Sequence, residues 1–212
     1  MNPVLSLLET RVLGVLVEKQ HTVPDSYPLT LNSLVSGSNQ KNSRDPVMEA
    51  AETEVQAAID RLKSLSLVVE SSGGRVMRYA QNVGKVLAIP PQSVALLATL
   101  FLRGAQTAGE LRINSDRLHK FGDILAVEGF LNEMAERSAG ALVRELPRQA
   151  GARETRWAHL LSGEPVIPAA IETSAGASEV SVSGSELAAM KARIDALETT
   201  VARLCRELGI VP

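Results

Sequence analysis

Hydrophobic residues recur at three- and four-residue steps in some stretches of this chain and alternate with charged residues in others, and the order of these patterns occurs twice. Residues 6–80 predict three short helices and then a two-stranded hairpin, and residues 91–159 predict the same order. In the first copy Leu8, Val12, Leu13, Leu16 and Val17 share one helical face, with Glu9, Arg11, Glu18 and Lys19 opposite, which predicts one buried side. Ser6-Leu-Leu-Glu9 opens that helix, a serine and a glutamate spaced to satisfy its first free amides reciprocally. Leu29, Leu31, Leu34 and Val35 predict a short second helix ending near Gly37. A third starts at about Thr53, with Thr53-Glu-Val-Gln56 as its capping box and Val55, Ile59, Leu62 and Leu65 inward. Residues 67–72, the pair Gly73-Gly74 and residues 75–80 then predict a hairpin, because paired glycines supply the positive backbone angles of a tight turn.

The second copy opens at Pro90-Pro91, where a missing amide costs a helix start nothing. Leu96, Leu97, Leu100 and Phe101 form its first apolar stripe, which stops at Gly104. Thr107-Ala-Gly-Glu110 caps the next helix, and the third, from about Asp123 to Arg137, is expected to bury Ile124, Val127, Phe130, Leu131 and Met134. Residues 141–146 and 154–159 flank a loop from Pro147 to Arg153, with Trp157 as an anchor under the hairpin. Three helices and a hairpin are the element order of a winged helix. The expected fold is therefore α+β, mainly α, with two tandem winged-helix domains at 1–84 and 85–161.

Residues 162–184, rich in Ser, Gly, Ala and Pro, read as a flexible linker. Beyond it Leu187, Met190, Ile194, Leu197, Val201, Leu204 and Leu208 recur at alternating steps of three and four, so 185–209 reads as a coiled-coil-like helix. The choice of apolar residues favours two parallel strands and hence a homodimer; the alternative is a helix that lays this seam on its own chain.

The chain has 212 residues, 45% of them hydrophobic, which suffices for two small cores. Six aromatic residues leave little for a base-stacking platform. The single cysteine, Cys205, excludes an internal disulfide and fits a reducing compartment. No apolar run is long enough to span a bilayer and no secretory pattern opens the chain, so a cytoplasmic protein without membrane contact is expected. Charge is nearly balanced: −1 over residues 1–84, +2 over 85–161 and −3 over 162–212. Any grip on a polyanion must come from local patches.

Four such patches stand out. The loop Asn39-Gln-Lys-Asn-Ser-Arg-Asp-Pro46 offers Asn39, Gln40, Lys41, Asn42 and Arg44 to a phosphate or an acidic segment, the alternative being a solvated loop that satisfies its own backbone. The outward face of the first copy's third helix carries Arg61 and Lys63 against Glu54 and Asp60, whereas its counterpart in the second copy is acidic, with Asp123, Glu128, Glu133 and Glu136. Arg75 and Arg78 lie on the first hairpin. Arg144, Arg148, Arg153 and Arg156 make the second hairpin the most basic stretch of the chain. Reactive chemistry is missing by comparison. His21, His119 and His159 are scattered, one cysteine completes no usual zinc set, and there is no phosphate-binding glycine loop, dinucleotide fingerprint or nucleophile elbow. A non-enzymatic protein without a cofactor is expected.

The stretches LETRVLGVLVEKQ, YPLTLNSL, NQKNSRDPVM, LRGAQTAGELR and HLLSGE resemble the YceH family of bacterial proteins, a group of uncharacterised function, over about residues 3–165. The resemblance implies a tandem winged-helix fold in the bacterial cytoplasm and brings no activity, ligand or catalytic residue with it. Two functions remain open. One is a DNA-binding, regulator-like protein that grips the backbone through both hairpins and the 39–46 loop. The other is an adaptor whose winged helices dock a protein partner. The acidic third helices favour the adaptor, and the basic hairpins tip the sequence reading toward DNA.

Overall fold

Residues 3–72, 74, 76–149 and 151–165 are described by the structure, a computed structural model. Arg75, the linker from residue 166, Cys205 and the heptad positions Leu187, Met190, Ile194, Leu197, Val201, Leu204 and Leu208 lie outside the described residues. Within them are seven helices and two two-stranded antiparallel sheets. The first half comprises α1 (Leu7–Thr22), a 3-10 turn (Pro24–Ser26), α2 (Leu31–Ser38), α3 (Glu52–Ser64), β1 (Val68–Ser71) and β2 (Arg78–Gln81). After α4 (Val83–Leu87) come α5 (Pro91–Arg103), α6 (Ala108–Asn114), α7 (Ile124–Ala135), β3 (Val143–Leu146) and β4 (Arg156–His159).

The helix starts are set by the local chemistry that the sequence announces. Ser6 Oγ accepts from the Glu9 amide at 3.2 Å while the Glu9 carboxylate accepts from the Ser6 amide at 2.7 Å. Thr107 and Glu110 repeat the arrangement at α6, at 3.1 and 2.9 Å, and Pro91 opens α5. At α3 the expected box shifts. The helix begins at Glu52, and Glu54 caps the Ala51 amide at 2.7 Å, so Thr53 is inside the helix rather than before it. α4, five residues long, is too short for periodicity to announce.

The two halves match beyond their element order. Glu70 faces Tyr79 across the first hairpin, and Glu145 faces Trp157 across the second. Each aromatic also forms an isolated bridge to the residue just before the half's second helical cap: Tyr79 with Leu29, and Trp157 with Gln106. One place earlier in each outer strand an arginine donates to the carbonyl preceding that bridge, Arg78 to Pro28 and Arg156 to Ala105, both at 2.7 Å. Thr30 and Thr107, next to the bridges, cap α2 and α6.

A single apolar core runs through both halves, and residues 3–165 fall within one compact unit. Its seam is the crossing of α1 and α5. An added Cβ on Gly14 would stand 2.8 Å from the Leu102 side chain, so glycine lets the helices approach. Gly37 serves α2 in the same way, 2.6 Å from Val15 by the same measure. Because α5 and α2 cover it on different sides, α1 has no solvent face along its middle: every residue from Glu9 to Val17 is buried. This corrects the expectation of a one-sided helix. Glu9 is buried against Arg61, and Arg11, 0% exposed, donates to the carbonyls of Ser38 at 3.2 Å and Pro46 at 2.7 Å. Ile124 departs in the other direction, 44% exposed where burial is expected, while Trp157 is buried.

Candidate functional site

The 39–46 loop is built from polar side chains that turn inward. Asn39 closes its base, accepting from the Ala50 amide at 2.8 Å and donating to the Ala50 carbonyl at 2.9 Å. Arg44 is buried; it donates to both Glu18 oxygens at 3.2 and 2.7 Å, to the Gly37 and Ser43 carbonyls and to Gln40 Oε1. Burial alone would raise the Glu18 carboxyl, but Arg44's hydrogen bonds and charge, helped by Lys19, outweigh it and hold it below its usual range. Burial, then the nearby Arg44, lowers Arg11, with Asp45 opposing. The loop also reaches the second half: the Asp45 amide donates to the Leu102 carbonyl at 2.8 Å, and Arg103 Nη2 donates to Ser43 Oγ at 2.7 Å. It is a strap across the α1–α5 seam. Asn39, Gln40 and Arg44 hold it through these bonds, and burial takes Arg44 out of the outward contact surface expected of it; Gln40, Lys41 and Asn42 stay exposed.

Most of the other candidate cations are also engaged. Arg61 donates to Glu9 and to the Val4 carbonyl, and Lys63 pairs with Glu70. Arg78 and Arg156 staple the outer strands as described, Arg156 also pairing with Glu110 at 3.0 Å, and Arg144 pairs with Glu164. Exposed pairs of this kind contribute little stability, but each removes donors that a phosphate would need. Lys41, Arg148 and Arg153 alone among the described candidates have no such partner, and the structure brings only Arg148 and Arg153 together.

Those two border a groove of about 440 Å³ between α7 and the second hairpin. Its walls are Ile124, Glu128 and Asn132 of α7, with Gly109 of α6 and Trp157 of β4. Ile124 in its wall is 44% exposed, and an added Cβ on Gly109 would meet it at 4.0 Å; Leu125, the next residue of α7, and Ile113 of α6 are each 75% exposed. Sequence reasoning missed this patch. A signal existed, since Leu125 lies on nearly the opposite side of the helix from the Val127, Leu131 and Met134 stripe. The corresponding start of α3 in the first half carries Glu52 and Glu54 instead, both exposed.

Among the described residues no three potential metal ligands cluster, and no helix is long and apolar enough to cross a membrane. A family model described as "Protein of unknown function, DUF480" matches residues 5–152. Relatives called UPF0502 protein include one from Dechloromonas aromatica, 54% identical over 95% of this chain and 93% of its own length. Another, from Leptothrix cholodnii, is 53% identical over 97% of this chain and 96% of its own, and one from Burkholderia ambifaria is 55% identical over 97% and 90%. The chain thus belongs to the bacterial DUF480 family, the uncharacterised YceH-like group that its motifs resemble.

Proposed function

We propose that the chain is a non-enzymatic adaptor of two winged-helix units that docks a protein partner on the second unit. The observation that carries this reading is the start of α7, where Ile124 is exposed in the wall of an open groove and Leu125 beside it in sequence is exposed as well, with Ile113 of α6 equally so. The outward acids of α7, among them Glu128, Glu133 and Glu136, favour a partner segment that offers apolar side chains flanked by lysine or arginine. In a winged helix that reads DNA, the start of the third helix meets base edges and its neighbours grip phosphates. Here both starts are acidic or apolar, and most nearby cations are engaged. A second reading, contact with DNA phosphates, is favoured by Arg148 and Arg153, which have no partner on the second hairpin.

The two readings separate in one pair of experiments. Photo-crosslinking from Leu125 in cells is expected to give one discrete protein adduct, lost with Ile113→Glu, while random duplex DNA at low salt gives a flat titration. Salt-dependent DNA binding that Arg148→Ala and Arg153→Ala together abolish, with no adduct at Leu125, would reverse the assignment.

A further inference from the structure

A second cleft, of about 180 Å³, opens on the seam where the C-terminal end of α1 meets α5 and the end of α6. Lys19, Arg103 and Arg117 line it together with Thr22, Ser43 and Asn114. The one carboxylate in its wall, Glu18, is already neutralised from behind, because buried Arg44 donates to both of its oxygens. Lys19 shares that same carboxylate at 3.2 Å; among the described residues Arg103 bonds only the neutral Ser43 hydroxyl and Arg117 has no partner. Three cations therefore line a recess whose one carboxylate is already shared with Arg44, while Asp45 and Glu110 lie with Arg103 in the adjoining recess. Ser43 is held there at φ 60°, a left-handed conformation that a side-chain-bearing residue adopts at a cost of about 1 kcal/mol, with its carbonyl on Arg44 and its hydroxyl on Arg103. Two guanidinium forks and an ammonium, ringed by hydroxyl and amide groups, match the oxygens of a phosphate group.

We propose that this seam cleft binds a small phosphate-bearing ligand as its free dianion, clamped by Arg103, Arg117 and Lys19 between the two halves. The proposal is independent of the docking surface on α7. Because the ligand would touch α1 and the Ser43 strap on one side and α5 and α6 on the other, binding tightens the joint between the halves.

Thermal unfolding of the full chain tests this with inorganic phosphate at pH 7.5 against sodium chloride at matched ionic strength. At ten times its Kd, phosphate is expected to raise Tm by roughly 3–6 °C over chloride. Arg117→Gln should lose that rise, whereas Arg153→Gln, which removes an equally unpartnered cation far along the chain, should keep it. No rise over chloride overturns the proposal, and so does an equal rise in all three proteins, the general effect of an excluded salt. In a parallel arm, an Arg117-dependent Tm rise with random duplex DNA and none with phosphate would assign these cations to a nucleic-acid backbone and overturn the small-ligand site.

Discussion

The two halves of the molecule share a scaffold and differ in what they leave exposed. Both join an inner helix to an outer strand through an aromatic bridge, Leu29 with Tyr79 and Gln106 with Trp157, and both staple that strand with an arginine on a carbonyl. In the first half Arg11 and Arg44 are buried, and the more exposed Arg61 and Lys63 also meet carbonyls or carboxylates of the same chain. Among the described residues the second leaves Arg148 and Arg153 without a partner, where the first leaves Lys41, and it carries the two most exposed large apolar residues, Ile113 and Leu125. The parts that fix the backbone match between the halves, and the exposed side chains do not.

The sharpest way to break this comparison is to remove one arginine from each half. Arg44→Ala leaves the Glu18 charge and two carbonyls without their donor inside the strap, which is expected to cost about 3 kcal/mol in urea unfolding. Arg153→Ala should stay within about 0.5 kcal/mol of the parent. Equal costs would mean that the first half's charge is no more internal than the second's.

A pH titration of stability comes next. Burial against Phe101, whose ring centroid is 4.9 Å away, lowers His159 from 6.5 to about 4. The folded chain thus resists a proton that the unfolded chain accepts, so stability is full above pH 6.5 and falls as the pH drops toward 4. The loss reaches about 3 kcal/mol at the lower end. His159→Gln is expected to flatten that window and to leave the loss that sets in below the usual carboxylate value of 4.5, where the unfolded chain takes up a proton that Arg44 keeps off Glu18 in the folded one. An unchanged slope between pH 6.5 and 4.5 would remove His159 from the account.

The smallest effect tests the shared scaffold. Arg78→Ala and Arg156→Ala each lose the equivalent carbonyl bond, and each should cost about 1 kcal/mol, additively. Markedly unequal costs would show that the matching geometry hides different energetics.

Much of the scaffold was legible because it rests on short-range rules. Ser6 with Glu9, Thr107 with Glu110, Pro91 and Gly104 mark helix ends by chemistry confined to one turn. The candidate site was less so, because it depends on which faces a second helix covers. Arg11 and Glu9 occupy positions that look solvent-facing in any one-sided pattern, and only the packing of α2, α3 and α5 around α1 buries them. Likewise, the polar run Asn39–Arg44 reads as surface until the carbonyls at the end of α2 and the Glu18 carboxylate supply partners for it. Ile124 fails in the reverse sense: it stands at the edge of the apolar stripe, and nothing in its own helix says that the neighbouring elements leave it 44% exposed.

The most direct test places a photo-crosslinking residue at Leu125 in the second half and, in a second protein, at Val69 in the first half's hairpin, where 51% of the side chain is exposed. The account predicts one discrete protein adduct from position 125 and none from position 69. Adducts of equal yield from both positions, or from position 69 alone, would contradict it.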